Sequence, residues 1–328
     1  MSSPPSGSRP PRKRVSRRNV LKRVSAGGLS LAALGALPGA RAASEGDSLT
    51  IVHGTQFHGR FGQPNAPDVS RYATVVDELR DEYTNSALIA TGDDIAKAPL
   101  ATVLLGKHIV DAMNYLDPLA GVIGNHEFDY GDVLLRRRMA DSSFPWVSAN
   151  LLAGRERALP KGSRWITRSV GDLTVGLFGL SLLDFSHYVY YPQGYRTVQI
   201  ARAAQLAVDE LDAAGADYVI CASHLRLAGS KAVAGTVDGI DLMVGDHAEH
   251  VLDEPLEIDG TVINTVGAQF ERIGRVTLDE NGLDDAEVIE ITPATDRDPG
   301  MKRIVRKWRR RYDIDNPVGE DVPLPFPL

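Results

Sequence analysis

Several histidines and carboxylates of this chain fall in a pattern suited to metal chemistry. His53 and His58 follow one short apolar run, Asp93 a second, Asn125 and His126 a third, and His224 and His247 follow two later ones. Imidazole nitrogens, carboxylates and a carboxamide oxygen are ligand types for zinc, manganese or iron. Two such cations about 3.5–4 Å apart, joined by a shared anion, can clamp a phosphate and activate a water for in-line attack. A lone histidine is more often a core or surface residue. Here, however, His53, His58, His126, His187, His224, His247 and His250, seven of the eight, lie in or near these loops.

For such distant residues to meet, the apolar runs must be strands whose carboxyl ends open on one crevice, as in α/β sheets. Strands are predicted over 49–53, 87–90, 120–123, 173–180, 218–222 and 242–244. Helical spacing covers 71–83, where Tyr72, Val75, Val76 and Leu79 form an apolar stripe, and also 99–116 and 201–214. Pro99 suits a first helical turn. Two more strands, near 261–266 and 274–278, have no helix between them. The economical architecture is an α/β/β/α sandwich of four layers, two mixed sheets flanked by helices.

The chain has 328 residues, 43% of them hydrophobic, enough for a sizeable core. Cys221 is the one cysteine, sits in an apolar run, and has no partner for an intramolecular disulfide. Residues 1–42 hold nine of the 36 Lys and Arg and none of the 43 Asp and Glu, so the remainder carries 27 basic against 43 acidic groups. Such a body repels nucleic-acid backbones, which excludes a polymer-binding role without a local basic patch.

The basic N-terminal segment reads as an address. Ser16-Arg17-Arg18-Asn19-Val20-Leu21-Lys22 resembles a twin-arginine export signal, followed by a weakly apolar stretch over 24–37 that is too short to span a bilayer. Ala40-Arg41-Ala42 fits a cleavage site. The expectation is export by the twin-arginine machinery to the periplasm, cell surface or medium, with no stable membrane span. Three segments follow: a signal peptide and basic tail over 1–42, a catalytic domain over 43–298, and a C-terminal helix with a Pro-rich linker over 299–328.

Gly124-Asn125-His126-Glu127-Phe128-Asp129, with Gly92-Asp93 upstream, is similar to the motifs of calcineurin-like metallophosphoesterases. Phe61 after His58-Gly59, Asp129-Tyr130-Gly131, and Phe144-Pro145-Trp146-Val147-Ser148-Ala149-Asn150 resemble the 5'-nucleotidase and UDP-sugar hydrolase branch. The likeness runs from about Thr50 to Thr292. It implies two divalent ions (zinc, manganese or iron) bridged by Asp93. One ion would take His58 with residues 56 and 249, and the other Asn125, His224 and His247. His126 would stabilise or protonate the leaving oxygen, with Asp129 orienting its ring, and Asn125 and His126 would contact the substrate phosphate. The implied substrate is a 5'-nucleotide or similar small phosphate ester.

Two departures stand against that pattern. The family opens with Asp-x-His where this chain has Gln56-Phe57-His58, and it has a neutral ligand where this chain has Glu249. Gln56 plus Glu249 would conserve the charge of the first ion's ligands. Asp94 or His250, each beside a ligand position, are alternative substitutes. The branch also carries a further C-terminal domain that stacks the nucleobase, whereas this chain stops at Pro325-Phe326-Pro327-Leu328. The rival reading is a catalytically degraded relative that binds a ligand or awaits a partner. The Tyr-rich loop over 188–192 suits either surface packing or contact with a base or sugar.

Overall fold

The structure, a computed structural model, describes residues 48–62, 66–153, 161–182 and 194–311. The export segment, His187, the Tyr-rich loop and the Pro-rich tail lie outside the described residues.

In chain order the strands are β1 (Leu49–His53), β2 (Ser86–Ala90), β3 (Ala120–Val122), β4 (Trp146–Val147), β5 (Leu151–Ala153), β6 (Gly162–Ser163), β7 (Trp165–Val170) and β8 (Leu173–Ser181). They continue as β9 (Tyr195–Thr197), β10 (Tyr218–His224), β11 (Leu242–Val244), β12 (Leu256–Ile258), β13 (Thr261–Asn264), β14 (Arg272–Asp279) and β15 (Gly282–Glu290). One sheet runs β15-β14-β1-β2-β3-β4-β6 and the other β12-β13-β11-β10-β8-β7, with β5 and β9 pairing separately. β1, β2, β3, β4 and β6 are parallel, as are β8, β10, β11 and β13, and antiparallel strands border both groups. This is the mixed α/β/β/α sandwich that the alternation of elements predicts.

Strand alternation builds the layers. In β1, Ile51 joins Val122, Leu177, Ile220 and Val244 between the sheets, while its neighbour Val52 faces the other way into a cluster with Tyr72, Val76 and Ile109. β2 does the same with Ile89 and Leu88. Strands buried on both faces read as continuous apolar runs, which is why β1, β2 and β10 are legible in the sequence. Cys221 lies wholly buried in β10.

The helices are α1 (Val69–Glu82), α2 (Pro99–Leu104), α3 (Lys107–Leu116), α4 (Gly131–Asp141), α5 (Ile200–Ala213), α6 (Leu227–Ala234) and α7 (Pro299–Arg311). The single helix predicted over 99–116 is two, because Leu105 (φ 51°) and Gly106 (φ 72°) both adopt left-handed backbone and end α2. α7 packs on α1 and α3, burying Met301 and Trp308 in the core beneath them. Among the described residues no helix is long and apolar enough to cross a membrane.

Candidate metal centre

The carboxyl ends of β1, β2 and β3 deliver Gln56 and His58, Asp93, and Asn125 with His126. β10 ends on His224, and the loop after β11 brings His247 and Glu249. Asp93 is the hub. Its Oδ2 lies 3.1 Å from His224 Nε2, and 3.9 Å from both His58 Nε2 and His247 Nδ1. Its Oδ1 accepts the His126 backbone N–H at 2.8 Å. On the far side of His58, Glu249 Oε1 lies 3.6 Å from Nε2. His126 Nδ1 meets Asp129 Oδ2 at 2.8 Å, so Asp129 holds the ring and does not cap α4, whose N-cap is Tyr130.

The loops are held in conformations that ordinary residues avoid. Gln56 (φ 46°), His58 (φ 50°), Asp93 (φ 53°) and Glu249 (φ 59°) all sit in left-handed backbone, a state that costs a non-glycine residue about 1–2 kcal/mol. Hydrogen bonds pin them: His58 N–H donates to Asp93 O at 2.9 Å, Gly59 N–H to Asp94 O at 2.7 Å, and Gln269 N–H to Gln56 O at 3.1 Å. Two glycines allow the close approach. A Cβ on Gly124 would stand 2.3 Å from Asp93 Oδ1, and one on Gly92 2.8 Å from His224 Nδ1.

Glu127, buried in the motif, is a tie that spacing alone does not reveal. Its carboxylate accepts N–H groups from Asp93 at 2.9 Å, Asp94 at 2.7 Å, Ile95 at 3.4 Å and Gly124 at 2.7 Å. The loops after β2 and β3 are thereby locked together. No sequence signal marks it: it reads as one more acid of the motif, and its burial, at 1% exposure, is visible only in the structure.

Charge is dense and buried. Burial opposes ionisation of Asp93, but the His224 charge and hydrogen bonds from His224 and His58 outweigh it and hold the carboxyl well below its ordinary range. Burial likewise opposes protonation of His224, yet Asp93 pushes it up to about 9. His247 is lowered by burial and by the neighbouring His224. Burial and the Asp93 charge push Glu127 up to about 7, against the pull of its N–H donors.

The donor set fits divalent cations. His224 Nε2 and His247 Nδ1 are 3.3 Å apart and both point at Asp93, so their lone pairs converge on one small volume. Gln56 donates its amide nitrogen to the Asp246 carbonyl and leaves its amide oxygen buried with no hydrogen-bond partner among the described residues. A cation would satisfy that oxygen. The alternative substitutes are engaged elsewhere: Asp94 accepts from Thr55 Oγ1 and Phe57 N, each at 3.1 Å, and His250 Nδ1 meets Asp246 Oδ2 at 2.7 Å. His53, read from the sequence as a strand-end donor, lies within β1 and bonds Asn264 Oδ1 at 2.8 Å. Two other clefts mix acids and bases, one lined by Glu78, Glu82, Glu287 and Glu290 with Arg275, the other by Asp77, Asp81, Asp296 and Asp298 with Arg71, Arg297 and Lys302, and no histidine lines either.

This fold and cluster define a class, and comparison with known proteins names it. The family described as Calcineurin-like phosphoesterase matches residues 57–247. The chain belongs to that family. Within it, 5'-nucleotidase from Bos taurus is 27% identical over 87% of this chain and 56% of that protein. The 5'-nucleotidase precursor from Thermus thermophilus shares the fold with a TM-score of 0.73 and 24% identity, covering 81% of this chain and 59% of the other. A calcineurin-like phosphoesterase from Bacillus subtilis superposes with a TM-score of 0.68 and 18% identity, covering 81% of this chain and 97% of the other. The chain thus spans little more than half the length of these 5'-nucleotidase relatives.

Proposed function

We propose that this protein is an exported metal-dependent phosphoesterase that hydrolyses 5'-nucleotides or similar small phosphate esters at a dinuclear centre. The observation that carries the reading is Asp93 Oδ2, which has three imidazole nitrogens within 4 Å. Asp93 would be shared by two ions (zinc, manganese or iron), Gln56, His58 and Glu249 would hold one, and Asn125, His224 and His247 would hold the other. The ions would supply positive charge to clamp the phosphate and a Lewis acid to activate water.

The chain's own residues do the rest. His126 carries a proton on Nδ1 into Asp129, which leaves Nε2 to hand a proton to the departing alkoxide. Burial works against the imidazolium, but the Asp129 hydrogen bond and the Asp93 charge raise His126 above its ordinary value, so it is poised as an acid. The backbone N–H of His126, donated to Asp93 Oδ1, keeps that acid in register with the bridging carboxylate. Export by the twin-arginine route rests on Arg17-Arg18 and the segment behind them, and agrees with the description of the Thermus relative as a precursor.

The test is elemental analysis of the dialysed protein together with phosphate release from AMP and from an aryl phosphate in added manganese or zinc. About two ions per chain with turnover would support the hydrolase. One ion or none, with no release from either ester, would favour the degraded relative, a reading that draws on Gln56 standing where the family has a carboxylate.

A further inference from the structure

Lys97 stands beside this centre in a backbone conformation that its own side-chain contacts do not account for. Its φ is 92°, a backbone region that glycine fills at no cost and that a lysine adopts only under constraint. Both neighbours, Ala96 and Ala98, are buried, and Ala98 N–H donates to His58 O at 2.9 Å. A Cβ on Gly59 would meet Ala96 O at 3.3 Å, so the stretch of chain on either side of Lys97 is pressed against the His58 loop. The lysine is therefore fixed at its root and presented at the site. Its Nζ lies 3.8 Å from Glu249 Oε1, which is 3.6 Å from His58 Nε2, and the His58 ring meets the His126 ring edge-on at 5.9 Å.

A structural ion pair does not account for this. The Lys97 and Glu249 side chains are 46% and 40% exposed, and pairs so open to water contribute less than left-handed strain costs a non-glycine residue. Strain kept without a structural return marks positions held for function. An ammonium beside the cluster that carries His58 and the acid His126 suits the terminal phosphate of a monoester. That group has three non-bridging oxygens and close to two negative charges at neutral pH. A diester has two such oxygens and one charge.

Building on the phosphoesterase reading, we propose that Lys97 is a phosphate anchor outside the metal ligands, which donates to a non-bridging oxygen and favours phosphate monoesters over diesters. Charge-assisted bonds of this type are the strong ones, and loss of one weakens binding by about ten- to a hundredfold.

The experiment compares wild type, K97Q and K97G, manganese-loaded, on p-nitrophenyl phosphate and bis(p-nitrophenyl) phosphate, with inorganic phosphate affinity by calorimetry and metal content by elemental analysis. Both variants should raise KM for the monoester and Kd for phosphate about ten- to a hundredfold, with kcat and metal content little changed and the diester KM nearly constant. K97G should also melt higher than wild type, because it relieves the backbone, so stability and affinity move in opposite directions. Unchanged monoester KM and phosphate Kd would overturn the anchor while leaving the hydrolase standing. Loss of metal in K97Q would overturn it too, since Lys97 would then be serving Glu249. If wild type turns over neither ester but binds phosphate in a Lys97-dependent way, the hydrolase falls and the anchor stays.

Discussion

Glu127 Oε2 stands 2.9 Å from the backbone nitrogen of Asp93 and 2.7 Å from that of Gly124, so one buried oxygen spans two loops that meet nowhere in sequence. The other oxygen takes Asp94 N–H at 2.7 Å. A carboxylate can accept from all of these donors, whereas an amide must turn its own N–H groups against some of them.

E127Q is therefore expected to unseat Asp93 and destabilise the fold together. Hydrogen bonds to a charged group contribute about 1.5–3 kcal/mol each, and unpaired buried donors cost more. A loss of about 3 kcal/mol would lower Tm by roughly 6–12 °C in a body of this size. Calorimetric melting and metal titration of the variant check this. Wild-type melting with wild-type metal affinity would show that the tie is dispensable.

Gln56 yields a prediction whose sign depends on metal. Its amide nitrogen donates to the Asp246 carbonyl, and its oxygen is buried without a partner among the described residues. In Q56D a carboxylate gains Coulombic attraction for a cation but loses that donor. Metal affinity should rise at least about tenfold, since anionic oxygen outcompetes neutral amide for hard divalent ions. The metal-free variant should melt lower than metal-free wild type. Competition titration with a chromophoric chelator reads the first effect and thermal scans in chelator the second. Equal affinities would mean residue 56 is no ligand.

What the sequence reveals and what it hides divide along physical lines. β1, β2 and β10 announce themselves because both faces are buried and apolar residues dominate them, whereas β7 and β15 are half exposed and carry Arg168, Asp284, Asp285 and Glu287 on their open faces. The Asp93, Asn125 and His126 group is legible because strand ends must converge. Glu127, Asp94 and Lys97 are not legible, because their roles lie in backbone hydrogen bonds and in φ values that residue type does not encode. The break in the helix over 99–116 is of the same kind. Gly106 hints at it, but Leu105 in left-handed backbone does not.

His126 and Asp129 should separate chemistry from metal binding. H126A removes the proposed acid while leaving the donors around Asp93 in place, so kcat is expected to fall about 10²–10⁴-fold with metal content retained. D129N should cost less, about 10–100-fold, because it leaves the ring present but poorly held. Esters with good leaving groups need no proton, so the H126A defect should shrink from AMP to p-nitrophenyl phosphate. An equal loss on both esters would remove His126 from the acid role.

Acid sensitivity should come in part from two histidines outside the centre. His53 donates from Nε2 to Asn264 Oδ1 and His108 from Nε2 to Gly59 O, each at 2.8 Å, and in both Nδ1 is buried without a hydrogen-bond partner among the described residues. Burial lowers both to about 4, against the pull of those hydrogen bonds. Unfolded, each would titrate near ~6.5. With the folded value depressed, each contributes stability that is present above pH ~6.5 and is lost as pH falls toward ~4, up to about 3 kcal/mol apiece. Glu127, raised to about 7, acts in the opposite sense, so the total profile mixes signs and a single-site difference is the cleaner readout. H108Q keeps a donor for Gly59 O and removes one titration. The urea midpoint of wild type should fall more steeply than that of H108Q between pH ~6.5 and ~4, so that H108Q gains on wild type as pH falls. Parallel profiles would show that His108 takes no part in the acid response.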